Sequence, residues 1–137
     1  MATTTSTPRI PESEKLTINL GYIDLGQIDL LVAEGFYANR SDFIRTAIRN
    51  HLGTHGEALR QVVARKMLVL GLQHFSAGDL ARVQAAGEKL QIRVLGLASI
   101  APDVSAELAA DTIESITVLG ALQASPAVRA ALSGRIH

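Results

Sequence analysis

The chain has 137 residues, with 13 basic side chains balancing 13 acidic ones, no cysteine, 47% hydrophobic residues and only 4% aromatic ones. That leaves room for one ordinary domain or two small ones, excludes a disulfide framework and fits a reducing, cytoplasmic setting. No apolar run approaches the length that crosses a bilayer, and the N-terminus lacks the apolar centre of a signal peptide. So small a chain, packed from Ala, Leu, Ile and Val, implies apolar surface shared between subunits.

Met1 to Glu14, MATTTSTPRIPESE, holds Thr and Ser in a run, two prolines and no periodicity, and is expected to be a disordered arm from which Arg9 could reach a phosphate. Lys15-Leu16-Thr17-Ile18-Asn19-Leu20 alternates with a period of two. A short strand would carry Leu16, Ile18 and Leu20 on one face and Lys15, Thr17 and Asn19 on the other. A helical stripe follows, Leu25, Ile28, Leu31 and Val32, closed by Gly35 as a C-cap residue free to take positive φ. Gly26 lies inside this helix at a cost of about 1 kcal/mol relative to Ala, and marks a close helix approach in a dimer. A second helix begins at Asn39 as N-cap, with Asp42 three residues on as a variant capping box, and its stripe runs through Phe43, Ile44, Ala47, Ile48 and Leu52.

Fewer than forty residues arranged as strand, helix, turn and helix cannot bury a core alone, so they must pair. K-L-T-I-N-L, I-D-L-L-V-A-E-G and N-R-S-D-F-I-R-T-A-I, in this order and spacing, resemble the ribbon-helix-helix family of DNA-binding proteins, the MetJ/Arc/CopG type. The resemblance covers residues 15–52. It implies an intertwined β-α-α dimer whose antiparallel two-stranded ribbon enters the major groove of double-stranded DNA. Lys15, Thr17 and Asn19 would then read bases: Lys15 by donating to guanine, Asn19 by pairing bidentately with adenine, Thr17 by a hydroxyl bond or a thymine-methyl contact. The start of the second helix, at Asn39, Arg40 and Ser41, would clamp phosphate with its free N–H groups and helix dipole. On their own, alternating polar residues are the wet face of a sheet and Arg40 a solvated charge. The two helices favour the DNA reading.

Charge sets a limit on this. Residues 1–56 carry Arg9, Lys15, Arg40, Arg45 and Arg49 against Glu12, Glu14, Asp24, Asp29, Glu34 and Asp42, a net charge of −1. Phosphate neutralisation supplies most sequence-independent affinity, so a single dimer is expected to bind weakly and several side by side to bind tightly.

Gly53-Thr54-His55-Gly56 reads as a hinge, giving an arm over residues 1–14, a DNA-binding domain over 15–53 and an oligomerisation domain over 54–137. His51 and His55 stand four apart at metal-ligand spacing without a third ligand nearby, so no metal site is assigned. Glu57 to Lys66, with Leu59, Val62 and Val63 on one face, is an amphipathic helix suited to cap the first unit of the second half.

The second half repeats. Met67-Leu68-Val69-Leu70-Gly71, Ile92-Arg93-Val94-Leu95-Gly96 and Ile116-Thr117-Val118-Leu119-Gly120 align, and Pro102 and Pro126 recur six residues past their glycines, as suits a first helical turn. Each unit reads as strand, turn at glycine, and helix. Three such strand-helix repeats predict an α/β domain, either a short solenoid resembling leucine-rich repeats or a small parallel sheet. No cap follows the third repeat, so its edge at Ile116, Val118 and Leu119 is expected to lie bare and to oligomerise the protein to a tetramer or higher.

The chain has no cysteine and only His74 and His137 after the hinge, and it holds neither G-x-G-x-x-G nor G-K-[ST]; neither metal sensing, cofactor binding nor catalysis is assigned. The reading is a DNA-binding transcription regulator, a repressor that binds cooperatively through its second half. The alternatives are an autoregulating antitoxin and a structural, DNA-organising assembly protein.

Overall fold

The computed structural model describes residues 13–137, so the expected arm, Arg9 included, lies outside the described residues apart from Ser13 and Glu14. The chain divides into two compact units, one ending at Gly56 and the other beginning at Glu57.

In the first unit, Lys15 to Leu20 enters no helix and pairs with no other described segment. Helix α1 is Tyr22–Ala33. It ends as the glycine predicts: Gly35 takes φ +85°, its N–H donates to Val32 O at 3.1 Å, and the Phe36 N–H donates to Leu31 O at 3.0 Å. This paired closure satisfies two carbonyls that the helix end would otherwise leave bare. Helix α2 is Arg40–Thr54, entered through Asn39, whose side chain accepts from the Asp42 N–H at 2.8 Å. The glycines at 53 and 56 do not open a loop. α2 runs through Gly53 and Thr54, with the Thr54 hydroxyl donating to His51 O at 2.6 Å, and His55 alone separates it from α3, Gly56–Arg65.

The second unit is a three-stranded parallel sheet in the order β1 (Val69–Phe75), β2 (Leu90–Ile100), β3 (Ile113–Gln123). Helices α4 (Ala77–Ala85), α5 (Ala106–Thr112) and α6 (Pro126–Ala131) follow the strands in turn. A serine side chain caps each helix: Ser76 accepts from the Asp79 N–H, Ser105 from Leu108 and Ser125 from Val128. Pro126 occupies the first turn of α6 as expected, whereas Pro102 lies in a turn ahead of α5, because the cap falls three residues later, at Ser105.

The repeated glycines stand in register, Gly71 beside Gly96 beside Gly120, with φ of +132°, +140° and +121°. A Cβ on Gly96 or Gly120 would overlap the backbone carbonyl of the preceding glycine in the row. The repeat is thus enforced by close backbone approach as well as by conformation. One face of the sheet meets the helices: Leu80, Val94, Ile113, Ile116, Val128 and Leu132 are fully buried there. Each such side chain contributes on the order of 1.5–3 kcal/mol.

The third strand is not left bare at Ile116. The Ile116 N–H donates to Arg135 O and the His137 N–H donates to Ile116 O, each at 2.8 Å, so the C-terminal residues lie along this edge. The Arg135 guanidinium holds that segment down by donating to Ala110 O at 2.7 Å and Ile113 O at 2.8 Å. The expectation of an uncapped edge is corrected to this extent: Ile116 is buried with its backbone already paired, Val118 is half-buried and Leu119 remains 50% exposed.

Candidate nucleic-acid interface

The residues expected to meet DNA all belong to the first unit. Lys15, Thr17 and Asn19 are exposed, as are Leu16, Ile18 and Leu20 between them. α1 packs its predicted stripe inward, with Ile28 buried and Leu25, Leu31 and Val32 half-buried. Its other side is apolar too, and there Ile23 is 78% exposed and Leu30 61%. α1 thus carries a second apolar strip, at Ile23 and Leu30, that the described residues leave open.

The start of α2 is ordered in detail. Asp42 accepts from the Ala38 N–H at 2.9 Å while Asn39 accepts from Asp42, which fixes the entry of the helix. Tyr37 and Phe43 meet edge to face at 5.0 Å across the same turn. Among the described residues, nothing takes the Arg40 and Ser41 N–H groups. Ser41 is exposed. Arg40 is engaged: its Nε and Nη2 donate to the two carboxylate oxygens of Asp29 on α1, at 2.7 and 2.8 Å. The Arg40 guanidinium holds the Asp29 carboxyl below its ordinary pKa, chiefly by these hydrogen bonds. About half of each side chain stays in solvent, so the pair positions Arg40 more than it stabilises the unit. Sequence reading missed this partner, although Asp29 lies on the polar side of the predicted helix and is the kind of group that a cation at the next helix start seeks.

His51 and His55 stack edge to face at 5.2 Å, and among the described residues no cluster of three metal-ligating side chains forms. His74 Nδ1 lies 2.6 Å from the Ser99 hydroxyl, a satisfied pair on the sheet. A cleft of about 310 Å³ opens beside β1, lined by Met67, Val69, Phe75, Ile92 and Arg93 among others, with Arg93 its one charged side chain. Among the described residues no helix is long and apolar enough to cross a membrane.

The pattern of the ribbon-helix-helix transcriptional regulator family matches residues 11–129, from just ahead of Lys15 to the last turn of α6. The chain belongs to this family. It is therefore a DNA-binding transcriptional regulator, from a family whose members usually work as dimers and are typically not enzymes. The match runs through the sheet unit, so a single family pattern takes in both halves of the chain. Nothing among curated proteins or solved structures matches the chain significantly.

Proposed function

We propose that this ribbon-helix-helix chain pairs Lys15 to Leu20 with the same segment of a second copy, forming an antiparallel ribbon that reads the major groove. Pairing would turn Leu16, Ile18 and Leu20 into the joint core and leave Lys15, Thr17 and Asn19 facing the bases. The first turn of α2 then meets phosphate through the Arg40 and Ser41 N–H groups, with Asn39 fixing the turn and Arg40 held ready by Asp29. The regulator represses by occupying a promoter, with several dimers joined through the sheet unit to offset a DNA-binding half of net charge −1.

One observation supports this most directly. In the first unit Ile28 alone is buried among the described residues, while Leu16, Ile23 and Leu30 are 81%, 78% and 61% exposed. A unit this apolar and this open is half of something.

Binding of the full chain to the DNA upstream of its own gene, compared with random duplex, tests the roles. Asn19→Ala or Lys15→Ala should cost about 1–3 kcal/mol on the specific site and little on random DNA. Arg40→Ala should weaken both alike and lower the salt slope by about one. Equal loss on both DNAs for Asn19→Ala contradicts base reading.

A further inference from the structure

We infer that the sheet face opposite the helices is a docking surface for the same face of a second copy of this chain. Side chains alternate along each strand, and Ile92, Val94, Ala98 and Ile100 of β2 point into the helix-covered core. The odd-numbered residues of β2 therefore line the other face. Register places Leu70, Leu95 and Leu119 in one row across the three strands and Leu72, Leu97 and Ala121 in the next. These rows lie outside the core cluster and are open at the outer strands, where Leu70 is 75% exposed, Leu72 62% and Leu119 50%, while on the central strand Leu95 is half-buried and Leu97, flanked by both neighbouring strands, is 8% exposed. Parallel strands are ordinarily buried on both faces, and strands apolar at both parities are built for that.

Two features select a second copy as the occupant. The first is self-complementarity. Along the face, the two leucine rows are flanked on one side by Arg93 and Thr117 and on the other by the row of His74, Ser99 and Gln123. Two such faces stacked with strands antiparallel lay leucine on leucine and set each Arg93 over the polar row of the other copy. Stacked parallel, they would set Arg93 against Arg93.

The second feature is size. With strands about 4.8 Å apart and about 3.3 Å per residue, the seven residues of β1 mark out a face of roughly 300 Å². A free-standing interface takes about 800 Å² from each partner, so this face is too small to recruit an untethered protein. A second copy has no such difficulty: chains already paired through the ribbon proposed above meet at an effective concentration on the order of millimolar. The inference uses that reading for local concentration alone. It also moves self-association from the edge at Ile116 and Val118 to the face that carries Leu119.

The chain has no cysteine, so a single introduced thiol reports cleanly. Leu95 lies on the central strand, beside the expected two-fold axis, whereas Arg82 is an exposed residue of α4 in the opposite layer. In the full chain without DNA, a short bis-maleimide should link Leu95→Cys to its copy at least tenfold faster than Arg82→Cys. Adding Leu72→Glu and Leu119→Glu, both at exposed positions, should abolish the difference while the helical circular dichroism signal persists. Equal rates for the two thiols, or linking that survives both glutamates, overturns the inference. Binding to the specific DNA is measured on the same proteins. Sequence-specific binding without Leu95 linking removes the docking face alone, and linking without sequence-specific binding removes the DNA reading alone.

Discussion

The two halves of this regulator bury apolar side chains to opposite degrees. From Glu57 onward, a closed core of strand and helix residues reaches zero exposure at Leu80, Val94, Ile113, Ile116, Val128 and Leu132. Up to Gly56, Ile28 alone is buried among the described residues, although large apolar side chains such as Leu16, Ile18, Ile23, Leu30, Phe36 and Ile48 are present and exposed. The difference lies in what each half has within reach. Three strand-helix repeats supply one another with partners inside one chain, whereas two helices and the short segment ahead of them have too little chain to enclose anything. Under the proposed function, burial in the first half is completed by pairing with a second copy.

Substitutions can break this contrast, and the largest effects belong to the sheet. Gly120→Val puts a Cβ into the Gly96 carbonyl at a positive φ, so unfolding in urea should show a loss of about 3 kcal/mol or more. Gly71→Ala, at the edge strand, meets nothing within 4 Å and should lose only the conformational part, about 1–2 kcal/mol. Leu80→Ala should cost about 2–5 kcal/mol at any protein concentration, because its cavity lies within one chain. Ile28→Ala should instead give a midpoint that rises with concentration; a concentration-independent midpoint would mean that the first half folds by itself.

Smaller changes sharpen the picture. Ser76→Ala removes a reciprocal cap in which Ser76 accepts from the Asp79 N–H and Asp79 accepts from the Ser76 N–H, and should cost about 1 kcal/mol. The Ser76 N–H, and after it the Ser76 side chain, hold the Asp79 carboxyl below its ordinary pKa of 3.8. A folded pKa below the unfolded one means that this contribution is complete above pH 3.8 and fades as pH falls through the lower folded value. Ser76→Ala keeps the backbone donor and loses only the hydroxyl, so the gap between its unfolding midpoint and that of wild type should narrow in that acid range without closing. The smallest effect is a gain. Met67 sits at φ +54° where α3 closes through Leu68 N–H to Val63 O, so Met67→Gly should add up to about 1 kcal/mol in thermal unfolding.

Local signals carried furthest in the sequence. Gly35 ends α1 and Asn39 opens α2 because caps act within a few residues, and the three glycines align because each answers the same steric demand from its neighbour. What escaped sequence reading depends on distant partners. Arg40 meets a carboxylate eleven residues back, and Arg135 folds the C-terminus onto carbonyls more than twenty residues away. Gly53 stays helical because one glycine costs a helix only about 1 kcal/mol, which neighbouring turns absorb. The open leucine face did leave a trace. Val69-Leu70-Gly71-Leu72 and Val94-Leu95-Gly96-Leu97 are apolar at both parities, the mark of strands meant to be covered twice.

Amide hydrogen exchange of the full chain over residues 15–20 tests the central claim most directly. In an antiparallel ribbon, alternate amides bond across to the partner strand. The account predicts slow exchange at every second amide between Leu16 and Leu20, lost together with DNA binding in Ile18→Glu. Exchange of all of them at the rate of an unstructured peptide, in protein that still binds its operator, would contradict it.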